Sequence, residues 1–249
     1  MTILLANDDG VTAKGLALSY GVMKQFGDCI VVAPDNDCSG QSHALTLDRP
    51  LRIKEHDNGF FSVNGTPADC VHLSISGLFE QIPERVVSGI NNCANLGDDV
   101  LYSGTVAAAM EGRMLGKNAI AISSCGREDR HLETTARVLH DIMTRLDTLQ
   151  LPEGTILNVN VPACDYDELQ GMKITRLGHR DPALPPTKLS DPRGHTVWWI
   201  GGVGNPRIAE EGTDFHAIGA GYVSITPLQY DKTGHSTLSL LEDWVGAMR

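Results

Sequence analysis

Short apolar runs alternate with segments of helical periodicity over roughly the first 160 residues. The runs end at polar or proline-containing turns, which is typical of buried parallel strands; they are residues 3–6, 29–33, 85–90, 119–123 and 156–161. Apolar residues at helical spacing lie in residues 14–26, 67–79, 105–115 and 132–149. This order predicts an α/β fold, with a mostly parallel sheet and helices on both faces.

Four further segments predict other kinds of structure. Residues 51–54 and 60–63 alternate across Asn58-Gly59, which indicates a small hairpin. Residues 178–195 hold four prolines and predict a long irregular segment, either a functional loop or an assembly arm. A strand is predicted at residues 222–226 and a terminal helix at residues 235–248.

Composition narrows the partners that the chain can bind. Of 249 residues, 41% are hydrophobic and 20% charged, which is typical of a globular protein. The net charge of −11 argues against nonspecific binding to duplex nucleic acid or an anionic membrane, since both need a basic face. A small phosphorylated substrate stays possible, because a bound divalent cation reverses the local sign of the charge.

Targeting and redox signals point to the cytoplasm. The chain starts without a basic segment and a long apolar segment, so no signal peptide is predicted. The longest stretch without Asp, Glu, Lys or Arg, residues 215–230, is too short to span a bilayer. The six cysteines form no CxxC pair, which favours reduced thiols over a disulfide framework or a zinc site.

Polar blocks follow three of the predicted strands. Asn7-Asp8-Asp9-Gly10 follows the first strand, and residues 35–42 follow the second. The third block, residues 88–105, begins within the end of the third core strand and continues beyond it. Ligands of open α/β sheets bind beyond the carboxyl ends of the strands. Parallel packing therefore predicts that all three blocks share one rim.

The first two blocks hold possible metal ligands. The carboxylates of Asp8 and Asp9 repel each other, which raises the proton affinity of one of them or recruits a cation. Oxygen ligands of this kind suit a hard divalent ion. Capping of the next helix by either residue is the alternative. In the second block, Ser39 before Gly40 could ligate a metal, bind an anion, or serve only as a turn residue.

The third block is rich in amides and small residues. It ends in Ser103-Gly104-Thr105 at a predicted helix start, where hydroxyls, free backbone N–H groups and the helix dipole suit a phosphate. Simple capping by Ser103 or Thr105 is the alternative. The chain lacks GxxxxGK[ST] and has no GxGxxG at the first helix, which argues against a Walker-type NTPase and a dinucleotide-binding protein.

Six blocks in this order resemble the SurE (survival protein E) family of nucleotidases over essentially the whole chain. They are Asn7-Asp8-Asp9-Gly10, Ala33-Pro34 with Ser39-Gly40, Gly65-Thr66-Pro67-Ala68-Asp69-Cys70-Val71, residues 88–112, Asn158-Val159-Asn160-Val161-Pro162 and Gly221-Tyr222-Val223-Ser224-Ile225-Thr226-Pro227-Leu228.

The resemblance implies a metal-dependent 5′-nucleotidase that hydrolyses nucleoside 5′-monophosphates, and also 3′-monophosphates or short polyphosphate. It implies one divalent ion (Mg, Mn or Co), a Rossmann-like three-layer core, and a homodimer or homotetramer in the cytoplasm. The implied metal ligands are Asp8, Asp9, Ser39 and Asn91, with Asp8 and Asp9 also catalytic. The implied phosphate contacts are Asn95, Ser103, Gly104 and Thr105.

Within the resemblance, Cys93 replaces the glycine that the family usually has between two asparagines of this loop. A positive φ there would strain a cysteine, and the thiol would lie near the metal, open to oxidation. We expect a catalytic core at residues 1–165. Residues 166–249 are expected to form a β-rich extension that carries the assembly arm, with a terminal strand and helix that return to the core.

Two questions on chemistry stay open from the sequence. The attacking group is either a water that Asp8 or Asp9 orients or deprotonates, or Asp8 itself through an aspartyl-phosphate. A nonenzymatic nucleotide or phosphosugar sensor would use the same rim. A purely structural protein would leave the carboxylate and amide cluster unexplained.

Overall fold

The computed structural model describes residues 1–126 and 128–248. Its strands in chain order are β1 (Thr2–Ala6), β2 (Asp28–Pro34), β3 (Ile53–Glu55), β4 (Phe61–Val63), β5 (Arg85–Asn91), β6 (Ile120–Ser124), β7 (Ile156–Val161), β8 (Met172–Ile174), β9 (His179–Arg180), β10 (Thr187–Ser190), β11 (Thr196–Trp199), β12 (Pro206–Ile208) and β13 (Val223–Leu228). Its α-helices are α1 (Lys14–Met23), α2 (Pro67–Leu73), α3 (Gly104–Glu111), α4 (Arg130–Leu146), α5 (Asp214–Gly219) and α6 (Leu238–Gly246).

A nine-stranded sheet in the order β3-β4-β2-β1-β5-β6-β7-β13-β8 forms the centre of the molecule. The strands from β4 to β7 run parallel, as the alternation of strand and helix patterns predicts. β3 and β13 each pair antiparallel with a neighbour. The predicted α/β fold is therefore confirmed, and so is the hairpin formed by β3 and β4.

Helices cover both faces of the sheet. Alternate residues of β1 point to opposite faces: Ile3 and Leu5 join a buried cluster with α1 and α4, whereas Leu4 and Ala6 join one with α2 and α3. The resulting three layers bury nearly every side chain of β1, β5, β6 and β7. This rigid frame fixes where the loops at the carboxyl edge begin.

The second predicted helix is shorter than expected. α2 ends at Leu73 and passes into a π turn at Ser74–Leu78, where Gly77 has a φ of 117°. A non-glycine residue is strained at such a φ. A glycine with helical neighbours gave no sequence signal for this break, so the prediction of a continuous helix to residue 79 was wrong.

The segment at residues 178–195 is more regular than predicted. β10 pairs antiparallel with β11 to form an exposed arm, and β9 pairs with β12 at the base of this arm. The four prolines lie outside β10, so they interrupt the segment without preventing a hairpin. The expectation of an irregular loop over this whole range was wrong.

The end of the chain divides into two parts. β8 and β13 join the central sheet, where β13 pairs with β7. α6 lies within the helix predicted at residues 235–248 and is exposed along its whole length. No helix in the described residues is both long and apolar enough to cross a membrane.

Candidate functional site

The loop after β1 places two carboxylates at the carboxyl edge of the sheet. Gly10 turns the chain with a φ of 98°, and the Asn7 side-chain amide donates to the Gly10 carbonyl at 2.9 Å. The Cys38 backbone N–H donates to the Asp8 carbonyl at 2.8 Å. The first and second polar blocks therefore meet, as their places after adjacent parallel strands predict.

The third block meets Asp8 through the start of α3. The Thr105 hydroxyl donates to Asp8 Oδ1 at 2.5 Å, and Asp8 is only 4% exposed. Gly104 passes so close that a Cβ at this position would lie 2.7 Å from Asp8 Cβ. Absence of a side chain at residue 104 thus lets the helix start approach the carboxylate.

The electrostatics of the Asp8 and Asp9 carboxylates favour a bound cation. Burial raises the pKa of Asp9 to about 6, and the charge of Asp8 adds to this rise. Burial also raises the pKa of Asp8, although the Thr105 hydrogen bond opposes the rise. Among the described residues, no Lys, Arg or His side chain forms an ion pair with either carboxylate. A divalent cation would relieve this repulsion.

Ser39 and Asn91 lie in the neighbouring loops. Ser39 is exposed, and its hydroxyl donates to Asp37 Oδ1 at 2.6 Å. Asn91, the last residue of β5, is buried, and its side-chain amide nitrogen donates to the Cys93 carbonyl at 2.6 Å. The sequence interpretation missed Asp37, whose charge also raises the pKa of Asp8 and Asp9; its place in the second polar block was the available signal.

Ser103 caps α3, as one of the two interpretations of this block predicts. Its side-chain oxygen accepts a hydrogen bond from the Val106 N–H at 3.0 Å. Gly104 and Thr105 are the first helical residues, whose N–H groups have no partner within the helix because of its geometry. The Thr105 hydroxyl is committed to Asp8, so the backbone of this turn is the part suited to an anion.

Asn95 anchors the loop after β5. Its backbone N–H donates to Asn160 Oδ1 at 2.8 Å, and its carbonyl accepts from the side chains of Asn158 and Asn160 at 2.9 and 3.0 Å. Its own side-chain nitrogen donates to the Ser123 hydroxyl at 2.8 Å. These contacts join the loop to β6 and β7, and a phosphate contact by Asn95 stays a prediction.

Two acidic residues near the site in sequence have other partners. Arg180 makes a bidentate contact with Asp99, at 2.8 and 2.6 Å, and its backbone N–H donates to Asp98. His179 also contacts Asp98, and the hydrogen bonds from both residues hold the pKa of Asp98 below its usual value. Arg180 and His179 of β9 therefore hold this acidic pair, and Arg180 offsets the charge of Asp99.

A cavity of about 470 Å³ opens beside Ser103. Its lining combines apolar side chains with histidine, arginine and lysine, and includes Ser42, His43, Leu101, Met110, Arg113, Tyr230 and Lys232. The Arg113 guanidinium lies 3.7 Å from Glu111 and over the Tyr230 ring. The sequence interpretation did not group these residues into one site, because they lie far apart along the chain.

The possible metal ligands are unlike those of a zinc site. In the described part of the chain, no three side chains of His, Cys, Asp or Glu are placed together to hold a metal ion. The four predicted ligands, Asp8, Asp9, Ser39 and Asn91, would instead combine two carboxylates with a hydroxyl and an amide. Hard oxygen ligands of this kind suit Mg²⁺ or Mn²⁺.

Fold and site together define an α/β protein with a carboxylate pair and a helix N-terminus at the carboxyl edge of a parallel sheet. A family model described as "Survival protein SurE" matches residues 3–183. This chain belongs to the SurE family.

Curated relatives match over the full length. A "5′-nucleotidase SurE" of Pseudomonas fluorescens (strain SBW25) is 53% identical over 249 residues, covering 100% of both chains. A protein of the same name from Pseudomonas aeruginosa (strain UCBPP-PA14) is 51% identical over 248 residues, again covering 100% of both. The crystal structure of the SurE protein from Aquifex aeolicus has a TM-score of 0.85 at 43% identity, covering 98% of this chain and 99% of that one.

Proposed function

We propose that this protein is a metal-dependent 5′-nucleotidase that hydrolyses nucleoside 5′-monophosphates to nucleoside and phosphate. The observation that carries the proposal is the contact between Thr105 and Asp8, because it joins a carboxylate pair to the N-terminus of α3. One feature suits a divalent cation and the other a phosphate, and a metal-assisted phosphomonoesterase needs both. The names of the full-length relatives support the same activity.

Asp8, Asp9, Ser39 and Asn91 are the residues that we propose hold the ion. When bound, the ion supplies Lewis-acid chemistry, as it neutralises charge on the phosphoryl oxygens and makes water more acidic. Asp37 accepts the Ser39 hydroxyl hydrogen, so the Ser39 oxygen keeps its lone pairs for a ligand. The side-chain nitrogen of Asn91 donates a hydrogen bond to the Cys93 carbonyl, which leaves the side-chain oxygen of Asn91 as the ligand atom.

The protein's own groups position the remaining parts of the reaction. The first N–H groups of α3, from Gly104 and Thr105, bind the phosphoryl oxygens and stabilise charge that moves onto them. Asp9 is less buried than Asp8, and its carboxylate orients the attacking water and accepts a proton from it. The cavity beside Ser103 takes the nucleoside, with Leu101 and Met110 against its apolar parts.

Direct attack by water is the route that this geometry favours. Asp8 is buried, and its Oδ1 accepts the Thr105 hydroxyl, so Asp8 serves better as a ligand than as a nucleophile. The stereochemical course at phosphorus tests this step, followed with a nucleoside phosphorothioate made chiral by oxygen isotopes and hydrolysed in water of the third isotope. Direct attack by water inverts the configuration, whereas retention or a trapped phosphorylated Asp8 would establish the covalent route.

The activity is tested by phosphate release from 5′- and 3′-monophosphates and short polyphosphate, each with Mg²⁺, Mn²⁺ or Co²⁺. We expect turnover of the 5′-monophosphates that a chelator abolishes and a divalent ion restores. Asp9→Asn should lose activity and keep its fold. Tight nucleotide binding with no turnover under any metal would instead identify a nucleotide sensor, and turnover unaffected by the chelator would contradict the metal.

We also propose a homodimer or homotetramer built through residues 166–249, with residues 1–165 as the catalytic core. Support comes from the large apolar side chains that a single chain leaves exposed on the arm and on α6, including Trp198, Trp199, Ile200, Leu240 and Trp244. A cytoplasmic location is proposed with it; the six free cysteines suit a reducing compartment.

A further inference from the structure

One face of β7 is polar although the strand is fully buried. Val159 and Val161 join the buried cluster with α1 and α4, so Asn158 and Asn160 point to the opposite face of the sheet. Both asparagine side chains are 0% exposed. A buried amide without hydrogen-bond partners destabilises a fold, so these two side chains need polar partners within the molecule.

Asn160 pairs with the backbone of Asn95 through both polar atoms of its amide. Its Oδ1 accepts the Asn95 N–H at 2.8 Å, and its Nδ2 donates to the Asn95 carbonyl at 3.0 Å. An asparagine amide offers an acceptor and a donor side by side, whereas an aspartate carboxylate lacks the donor and leucine lacks both. The Asn160 side chain thus pairs with a loop residue much as a neighbouring strand would.

Asn158 holds Asn95 by a single contact. Its Nδ2 donates to the same carbonyl at 2.9 Å, and its Oδ1 has no hydrogen-bond partner among the described residues. On β6, the hydroxyl of Ser123, which is the register partner of Asn160, accepts from the Asn95 side chain. Of the two asparagines, Asn160 therefore holds the Asn95 N–H, whereas Asn158 duplicates the contact with the carbonyl.

Asn95 lies between the two proposed binding features. The chain leaves β5 at Asn91, the proposed metal ligand, and later reaches Ser103, the cap of α3. Within this stretch, the Asp214 carboxylate accepts the Gly97 N–H at 2.7 Å, and Asn95 is held to β6 and β7. Both strands are buried in the central sheet, so they fix the course of the chain between the proposed metal ligand and the proposed phosphate site.

We propose that Asn160 is a positioning residue of this site. Its amide fixes the backbone of Asn95 and thereby aligns Asn91 with the first N–H groups of α3. Asn160 acts through Asn95 and is itself fully buried, so it contributes no contact with a substrate. The role in the reaction rests on the proposed function, whereas the anchoring of Asn95 does not.

Hydrogen–deuterium exchange tests the anchoring. Asn160→Leu removes both contacts with the Asn95 backbone and introduces a side chain of similar size. We expect the Asn95 amide to exchange at least about tenfold faster in this variant than in the wild type, because its acceptor is gone. Asn158→Leu is the matched control, since it changes an equally buried asparagine of the same strand and leaves the N–H contact in place. Exchange at Asn95 should be unchanged in it.

Phosphate release from a nucleoside 5′-monophosphate tests the role in the reaction. Displacement of reacting groups by about 1 Å costs about a hundredfold in rate. We expect the kcat of Asn160→Leu to fall by that order while KM changes little, since no contact with the substrate is lost. Asn158→Leu should keep a kcat close to that of the wild type, because Asn160 still holds the Asn95 carbonyl.

Asn160→Asp tests the pairing with almost no change of shape. A neutral carboxyl group carries a donor and an acceptor side by side as the amide does, whereas a carboxylate has no donor for the Asn95 carbonyl. The residues opposite position 160 on β6 and β13, Ser123 and Ser224, carry no charge, and backbone N–H groups hold the Asp214 carboxylate. The kcat of this variant relative to the wild type at the same pH should therefore rise as the pH falls.

Three kinetic results would overturn the proposal: a wild-type kcat in Asn160→Leu, equal losses in Asn160→Leu and Asn158→Leu, or a low kcat of Asn160→Asp that does not change with pH. Faster exchange throughout β7 in Asn160→Leu would also overturn it, since that result shows a general loss of stability. If the wild type hydrolyses no monophosphate with any metal, the proposed function fails and the role in the reaction fails with it. Exchange at Asn95 still decides the anchoring in that case.

Discussion

Thr105 donates the hydrogen bond that orients Asp8, and its removal should weaken the metal site. Thr105→Val keeps the shape of this fully buried side chain but leaves Asp8 Oδ1 without its donor. Hydrogen bonds to charged groups contribute about 1.5–3 kcal/mol, so we expect Mn²⁺ affinity to fall about ten- to a hundredfold. Isothermal titration measures the affinity.

Thr135→Val is the matched control. Thr135 is also a fully buried helical threonine, but its hydroxyl donates to the carbonyl of His131 within α4. We expect this variant to keep the metal affinity of the wild type. An equal loss in both variants would mean that Thr105 acts through general stability and not through Asp8.

Gly104 is the point of closest approach between α3 and the carboxylate. A Cβ there would lie 2.7 Å from Asp8 Cβ and 3.0 Å from Pro67 Cγ, so Gly104→Ala must displace one of these groups. Displacements of about 1 Å at a reacting centre cost about a hundredfold in rate. We expect kcat/KM for a nucleoside monophosphate to fall by that order with the far-UV circular dichroism unchanged.

Gly21→Ala in α1 controls for the added methyl group, because its Cβ would have no neighbour within 4 Å. Its activity should equal that of the wild type and its thermal midpoint should rise slightly, since alanine favours helix. Wild-type activity in Gly104→Ala would show that the approach of α3 to Asp8 is not needed for function.

Several site residues were predictable from the sequence because they stand at the ends of buried strands or just beyond them. Asp8 and Asn91 stand at strand ends that the apolar pattern locates. The partners of Asn95 and Asp99 were not predictable: they lie 65 and 81 residues away, and hydrogen bonds between polar side chains leave no periodic signal.

At the scale of elements, Glu111 connects the C-terminal end of α3 with two neighbouring segments. Its carboxylate accepts from His43 at 2.6 Å and His72 at 3.2 Å, and these contacts, led by His43, lower its pKa to about 2. A carboxylate with a depressed pKa in the folded state stabilises the fold above its unfolded pKa, which is 4.5.

Glu111→Gln should therefore destabilise the protein in a pH-dependent way. At 1.36 kcal/mol per pKa unit, the loss at neutral pH is at most about 3 kcal/mol. The difference from the wild type should stay until the pH falls to about 4.5 and shrink as it approaches 2. Urea unfolding across this range measures it, and a difference that does not shrink would refute the role of the carboxylate charge.

The arrangement of strands explains why the arm was mispredicted. β10 and β11 lie outside the central sheet and have no buried face, so they lack the alternation by which a strand is found in a sequence. The core strands bury both faces and gave continuous apolar runs. Strands that are buried in the core can therefore be predicted from the apolar pattern of the sequence. Strands that pack against no core within a single chain cannot.

At the scale of the whole molecule, exposed tryptophans on the arm predict an interface. Trp199 on β11 is 69% exposed in a single chain. Aromatic side chains of this kind contribute strongly to association. Trp199→Ser should yield a smaller species in light scattering with an unchanged fold. Leu149→Ser, at an apolar residue 51% exposed outside the arm, should leave the assembly intact. A wild-type protein that is already monomeric would contradict the interface.

The charge of the molecule makes nucleotide binding depend on the metal. The net charge is −11, and Asp37 adds its charge to that of Asp8 and Asp9. Arg113 lines the nearby cavity but lies beside Glu111, which offsets its attraction for an anion. Without a cation, a phosphate at the carboxyl edge therefore meets three carboxylates and the partial charge of a helix N-terminus, while Arg113 and Lys232 line the neighbouring cavity.

Removal of the ion should accordingly abolish most of the affinity for a nonhydrolysable nucleoside phosphonate. We expect binding to weaken at least a hundredfold in a chelator, measured by isothermal titration. The salt dependence of binding is a second test. Because a rising ionic strength screens the repulsion between the carboxylates and the phosphate, residual binding to the metal-free protein should strengthen slightly. Binding that instead weakens with salt would show that cationic side chains attract the phosphate. In that case the ion would serve the chemistry of hydrolysis and not the recognition of the substrate.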